Sequence, residues 1–472
     1  MKPQINAAAC KLILVNPYEL GRQPFALAEP AALLARDGFS VTCLDLSLQK
    51  LESIAWSGAA FVAIYLGMHT ATRIALEALP RIRALAPRAR LCAYGLYAPM
   101  NAALLRERGV ADIIGGEFEP ALVAAARDAR DGAAGNSEAA PVVHRGKVDF
   151  VVPERAGLPP LARYARLMLP DGSERTVGFA EASRGCKHWC RHCPVVPVYL
   201  GRFRAVPAAI VLADIRQQVA LGAQHISFGD PDFLNGPTHA LRIVRALHAE
   251  FPALTWDATI KVQHLIEQAE LLPELKHSGC LFITSAVEAV DDRILEHLAK
   301  NHTCADFERT VSLLRAADIA FAPTFVAFTP WTTLEGYLAL LESLVRLDLV
   351  ENVPPVQLTI RLLVPAGSEL LKLSGFPDRL QPFDSKMLGY PWRHADPRVD
   401  RLQQALQDFV ARNETQSLPR AEIFGEIWRM AHAALGQAAE PLAVNNASRV
   451  IPRLSEPWYC CAEPTDQQLA VF

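Results

Sequence analysis

The chain has no long hydrophobic run. Its 472 residues are 51% hydrophobic, yet stretches such as Phe61 to Gly67 fall far short of the ~18 apolar residues that a membrane span needs. It also lacks an excess of either charge: 47 Lys and Arg stand against 50 Asp and Glu, a net of −3, which leaves no electrostatic footprint for nucleic acid. The apolar stretch Ala7 to Cys10 ends at Lys11, too short for a secretory leader. No internal repeat is visible. Nor is there a disulfide framework, because the ten cysteines include a triplet and a terminal pair, a grouping that suits metal and thiol chemistry in a reducing compartment. The expectation is a globular, cytoplasmic protein with no membrane or nucleic-acid partner, large enough for two or three domains.

What the sequence does hold is the run Ser183-Arg-Gly-Cys-Lys-His-Trp-Cys-Arg-His-Cys-Pro194. Cys186, Cys190 and Cys193 stand at C-x₃-C-x₂-C spacing on a glycine-led loop. Three thiolates can hold three irons of a [4Fe-4S] cluster and leave the fourth open to a substrate, whereas electron-storage clusters close every iron with protein ligands. A structural zinc site is the rival, since His188 or His192 could supply the fourth ligand it wants.

This triplet resembles the signature of the radical S-adenosylmethionine (SAM) superfamily, which lies at the end of the first strand of a partial (β/α) barrel, and the resemblance extends over most of the chain. It implies that the three cysteines bind the cluster and that the amino and carboxylate groups of SAM chelate the fourth iron. It implies in turn a low-potential electron donor such as flavodoxin or ferredoxin, and a carbon radical from cleavage of the sulfonium.

The strand and helix pattern agrees with that architecture. In residues 1–127, apolar strands such as Lys11 to Pro17, Phe61 to Tyr65 and Arg90 to Gly95 alternate with helical stretches, which points to a doubly wound parallel sheet. This part resembles the cobalamin-binding-like domain that precedes many radical SAM barrels. The lower-ligand histidine of that domain belongs to a D-x-H-x-x-G motif, which is missing here; His69, the one histidine of 1–127, sits in Gly-Met-His-Thr. The expectation is therefore against cobalamin and for a structural or substrate-capping role. Residues 128–177 read as a linker and a hairpin centred on Pro170-Asp-Gly172. Residues 178–375 read as a partial (β/α)₆ barrel whose sixth strand is Gln357 to Leu363, and 376–472 as a mixed C-terminal extension.

Five further residues are candidates for holding SAM. Asp230 and Asp232, in Phe228-Gly-Asp-Pro-Asp-Phe-Leu234, lie where the superfamily holds the SAM ammonium group; capping a helix near Asn235 is the alternative. Ser285 and Glu288 end a strand that often offers a ribose contact, against the plainer reading of a glutamate at a helix start. Arg361 interrupts an apolar strand and either clamps a carboxylate of SAM or substrate or forms a structural salt bridge. Lys261 either meets a substrate carboxylate or, as is favoured, faces solvent.

Trp458-Tyr-Cys-Cys-Ala-Glu-Pro464 carries the second thiol signature. Cys460 and Cys461 are too close for an unstrained disulfide, since adjacent Cα atoms lie ~3.8 Å apart. As free thiols they form a soft chelating pair; core packing is the alternative. The tail resembles the CCAEP-tail subgroup of radical SAM proteins and, more distantly, the radical SAM enzymes of arsinothricin biosynthesis. The resemblance implies transfer of the 3-amino-3-carboxypropyl group of SAM to trivalent arsenic, with arsenite as substrate on Cys460 and Cys461 as catalytic thiols and with Cys280 or Cys304 as a possible third ligand. A 5′-deoxyadenosyl-radical enzyme acting on another small molecule, with the tail as a redox dithiol, is the alternative, and a redox or metal-storage protein that does not use SAM is a third.

Overall fold

The computed structural model describes residues 10–133, 141–414, 418–439, 442 and 450–456. The chain divides into two compact units. One holds the described residues up to Tyr164 together with Ala209–Leu221, and the other holds Ala165–Ala208 and the described residues from Gly222 onward. Residues 134–140 of the expected linker lie outside the described residues.

In the first unit β1 (Lys11–Asn16), β2 (Ser40–Asp45), β3 (Ala59–Tyr65), β4 (Arg90–Tyr94), β5 (Asp112–Gly116) and β6 (Val142–His144) form one parallel sheet in the order β2-β1-β3-β4-β5-β6. Helices α1 (Phe25–Arg36), α2 (His69–Leu85), α3 (Ala102–Glu107) and α4 (Glu119–Arg130) connect the strands. Strands so covered bury both faces and read as unbroken apolar runs: Leu12, Leu14 and Phe61 pack in one core with Leu27 and Leu34 of α1 and Leu122 of α4. Strand order reverses between β1 and β3, the place where such sheets open a ligand crevice. Asn16 Nδ2 donates to Asp45 Oδ1 at 3.0 Å and Tyr164 Oη to Asp45 Oδ2 at 2.7 Å, both beside that point. Tyr65 lies over the neighbouring strand ends. A side chain at Gly95, whose φ is +111°, would meet its ring at 2.8 Å, so only glycine fits there.

In the second unit β7 (Arg166–Met168) and β8 (Glu174–Ala180) form a hairpin turned at Gly172, whose φ is +82°. β9 (Ser183–Gly185) leaves that line and pairs antiparallel with β10 (Phe203–Ala205). β8, β11 (His225–Phe228), β12 (Thr255–Thr259), β13 (Cys280–Glu288) and β14 (Ala320–Phe325) run parallel in a curled half-barrel. Between and after them come α5 (Val195–Tyr199), α7 (Pro237–Glu250), α8 (Val262–Glu267), α9 (Leu272–His277), α10 (Asp292–His297), α11 (Cys304–Ala316) and α12 (Leu334–Arg346), whereas α6 (Ala208–Ala220) belongs from Ala209 to the first unit. The extension adds α13 (Pro397–Glu414), α14 (Arg420–Ala434) and β15 (Arg453–Leu454), which pairs with β7.

Side chains alternate between the two faces of this sheet. Phe228, Trp256 and Ile283 share the fully buried outer face. Asp257, Thr259, Thr284, Ala286, Ala322 and Thr324 share the inner one, where all but Asp257 are only half-buried. The inner floor is polar and satisfied: His225 bridges Thr255 Oγ1 at 2.8 Å and Asp257 Oδ2 at 2.9 Å, and Ser227 donates to Asp257 Oδ1 at 3.1 Å.

The sixth barrel position differs from the expected strand over Gln357 to Leu363. Pro355–Leu358 is a 3₁₀ turn, and one parallel bridge, Phe328 to Arg361, continues the sheet. Pro355 opens that turn, its fixed φ suiting a first helical position. Gln357 fills the place by side chain, its Oε1 accepting from Phe325 N at 3.1 Å.

Candidate functional site

The cysteine loop follows the first parallel strand, β8, through β9. Gly185, with φ of +69°, makes the turn, since a Cβ there would lie 2.2 Å from Arg202 O. Asp230, just after β11, flanks the entry and accepts from Ala182 N at 2.9 Å and from the Ser183 hydroxyl. Burial pushes the Asp230 carboxyl up to about 7 against those two donors. Both of its oxygens are thus engaged in holding the turn that leads into the loop.

Cys186, Cys190 and Cys193 carry free thiols, Cys190 buried and the others half-buried. Burial raises the Cys186 thiol, so a thiolate there gains from a bound cation. Lys187 N approaches Asn235 Oδ1 at 3.3 Å, tying the loop to the segment after β11. Arg191 N donates to Leu298 O at 2.9 Å, and its guanidinium donates to the carbonyls of His297 and Glu296 at 2.8 and 3.0 Å. His192 Nε2 lies 3.0 Å from Glu288 Oε1 at the end of β13. Three neighbouring segments therefore fix a loop that has almost no regular structure of its own. Its donor set fits a cluster: three soft ligands at the strand end, with no fourth cysteine in the loop.

Asp232 is fully buried beside the first cysteine. Its Oδ2 lies 2.7 Å from His264 Nδ1 and 3.3 Å from His188 Nε2, and its Oδ1 accepts from Lys261 N at 3.3 Å. Burial alone would raise this carboxyl; the two imidazoles overcome it and hold it at about 2. Ligand atoms of Cys186, His188 and Asp232 all lie within 4.8 Å of one another, a geometry that a single metal ion also satisfies.

Glu288 is buried between His192 and Lys300, whose Nζ lies 3.2 Å from the same Oε1. Burial raises its carboxyl, and Lys300 and His192 together bring it down to about 2. The plainer of the two readings, a glutamate at a helix start on the surface, gives way to an interior carboxylate. Ser285 shares the outer face with Ile283 and Val287, away from the half-buried inner residues, and its Oγ has no partner among the described residues. Arg361 pairs with Asp400 Oδ1 at 2.8 Å and stacks 3.5 Å over the Trp392 ring, the structural salt bridge of the two readings. Lys261, expected in solvent, is 7% exposed, and its Nζ has no partner among the described residues. Burial under α8 explains the difference, since Lys261 caps that helix immediately after β12.

Cys280 begins β13, eight residues and ~26 Å of strand from the end that carries Glu288. Cys304 is half-buried at the start of α11. Cys460 and Cys461 lie outside the described residues. Sequence reasoning missed His264, Lys300 and the roles of His188 and His192 as carboxylate partners; the only local signal was that both histidines lie between cysteines.

Residues 181–331 match the radical SAM superfamily family model, so the chain carries a radical SAM domain. Among curated relatives, it is 28% identical over 156 residues to a tRNA-2-methylthio-N(6)-dimethylallyladenosine synthase of Chlorobium chlorochromatii, covering 31% of this chain and 34% of that protein. It is 25% identical over 181 residues to the ribosomal protein uS12 methylthiotransferase RimO of Geobacter sulfurreducens, covering 36% and 40%. The chain spans about a third to two-fifths of the length of these relatives. In fold it is similar to the radical SAM methyltransferase TsrM of Kitasatospora setae with cobalamin and a [4Fe-4S] cluster bound, with a TM-score of 0.61, 19% identity, and 72% and 73% of the two chains covered. It is also similar to the cobalamin-dependent SAM radical enzyme OxsB with aqua-cobalamin and SAM bound, with a TM-score of 0.67, 15% identity, and 86% and 67% covered.

These neighbours overturn the expectation against cobalamin. Proteins of similar fold are named with cobalamin bound, so the missing D-x-H-x-x-G motif does not argue against the cofactor. His69 is fully buried at the start of α2, edge-on to Tyr97 at 6.4 Å.

Proposed function

We propose that this chain is a radical SAM enzyme that transfers a group derived from SAM to a small-molecule substrate. The observation that carries the reading is the cysteine loop: three thiols on one loop after the first parallel strand of a half-barrel, fixed from three sides and opening on a half-buried inner face lined by threonines. When bound there, the cluster supplies one electron for reductive cleavage of a carbon–sulfur bond of SAM. Cys186, Cys190 and Cys193 would hold it, and Asp232 stands beside Cys186 as an anionic partner for the SAM ammonium group. Asp230 and Arg191 keep the loop in place. Thr259, Thr284 and Thr324 offer hydroxyls to a polar substrate on the inner face. Relatives named for methylthio transfer and a fold neighbour named as a methyltransferase support group transfer. The finer reading, an aminocarboxypropyl group passed to trivalent arsenic on Cys460 and Cys461, rests on the tail sequence.

A mononuclear zinc site on Cys186, His188 and Asp232 is the second reading, favoured by their mutual approach. Product identification after anaerobic reconstitution and reduction, with and without arsenite, separates the possibilities. Methylthioadenosine supports aminocarboxypropyl transfer, 5′-deoxyadenosine supports hydrogen abstraction, and intact SAM in the presence of reductant contradicts the enzyme reading.

A further inference from the structure

Three non-glycine residues around the cysteine loop have left-handed backbone: Glu288 at φ +74°, Ala299 at +52° and Asn301 at +56°. Such conformations cost on the order of 1–3 kcal/mol each and persist only where the surroundings fix them, which is why they gather at functional sites. Here they bracket one side chain. Ala299 and Asn301 flank Lys300, and Glu288 receives it at 3.2 Å. Ala299 stands after α10, where a left-handed residue is usually glycine, and it is held by its N–H bond to Glu296 O at 3.0 Å; Lys300 N donates to Leu295 O at 3.0 Å.

The segment that carries Lys300 is stitched to the cysteine loop twice. Arg191 bonds to the carbonyls of Glu296, His297 and Leu298, and His192 shares Glu288 Oε1 with Lys300. Arg191 and His192 both lie between Cys190 and Cys193. The Lys300 ammonium is buried with the Glu288 carboxylate as its partner. A fixed positive charge in a low-dielectric interior acts on a neighbouring redox centre far more strongly than one in water.

We propose that Lys300, clamped by Glu288 against the Cys190–Cys193 segment, is a positioning residue for electron entry, its ammonium raising the potential at which the cluster is reduced. The inference rests on the reading of the three cysteines as cluster ligands. The step concerned moves one electron from a low-potential one-electron donor of the flavodoxin or ferredoxin class into the [4Fe-4S] core, whose charge falls from 2+ to 1+. No bond forms or breaks and no proton moves. The added negative charge is what the ammonium stabilises.

The test is an EPR-monitored redox titration of the anaerobically reconstituted full chain. For Lys300→Met the midpoint should move negative, so that at the wild-type midpoint the reduced-to-oxidised ratio falls about tenfold, equivalent to ~59 mV for one electron. Lys300→Arg should stay near wild type, and Glu288→Gln should move the midpoint in the positive direction. Opposite signs distinguish charge from simple loosening of the loop, which would move both variants the same way. If Lys300→Met does not retain iron, Lys300→Gln and Glu288→Gln carry the same comparison. A fully loaded Lys300 variant with an unchanged midpoint, or shifts of one sign in both positions, overturns the proposal. A wild-type chain that assembles no iron-sulfur centre overturns the cluster reading, and this inference with it.

Discussion

The Lys261 amine is buried and makes no hydrogen bond among the described residues. A buried cation without a partner is destabilising by several kcal/mol, so the site either awaits an anion or tolerates a strained apo state. Lys261→Met should therefore stabilise the apo chain by roughly 1–3 kcal/mol, read as a higher urea midpoint. An unchanged or lower midpoint would mean that the ammonium finds compensation. Asp230 gives a pH signature of its own. Its folded value of about 7 lies above the ordinary ~3.9, so the folded chain binds the extra proton. Stability from this group is full below about pH 4 and is lost as pH rises through about 7, by on the order of a few kcal/mol. Asp230→Asn should flatten that decline, because an amide can serve both Ala182 N and Ser183 Oγ. Urea titrations at pH 5 and 8 measure it, and an equal slope in both proteins would contradict the assignment. The cysteine triplet was legible in the sequence because its chemistry is local to eight residues. The Glu288 clamp was not, because it joins residues 96 positions apart and depends on left-handed backbone at an alanine that composition does not mark.

Strands covered by helices on both faces announce themselves as apolar runs, and β1, β3 and β4 were legible for that reason. The sixth barrel strand was misread because Gln357-Leu-Thr-Ile-Arg-Leu-Leu has strand-like composition while a 3₁₀ turn begun at Pro355 takes in Gln357 and Leu358. The first unit depends on a contact that no pattern marks. Arg155 Nε and Nη2 meet Asp214 at 2.6 and 2.8 Å, and Nη1 meets Gln23 Oε1 at 2.8 Å, all essentially without solvent access. Removing one partner leaves a buried charge. Arg155→Met should cost about 3–5 kcal/mol, whereas Arg155→Met with Asp214→Leu should recover most of it. Thermal melts of the single and double variants check this; equal losses in both would show that packing, not the uncompensated charge, dominates.

On the scale of the whole molecule, a doubly wound unit and a half-barrel occur in one chain, as in proteins that bind cobalamin, SAM and an iron-sulfur cluster. No helix among the described residues is long and apolar enough to cross a membrane. Composition showed the two architectures through the changing period of their strands, but it could not show what either unit binds, because binding rests on side chains brought together from distant segments. The account as a whole stands on what occupies Cys186, Cys190 and Cys193. Mössbauer spectroscopy with iron, sulfide and zinc determination on anaerobically prepared protein tests it most directly. The account predicts about four irons and four sulfides per chain, one iron changing its isomer shift when SAM is added, and loss of all of them in Cys186→Ala with Cys190→Ala and Cys193→Ala. Stoichiometric zinc in place of iron, or a cluster whose four irons are all indifferent to SAM, would contradict it.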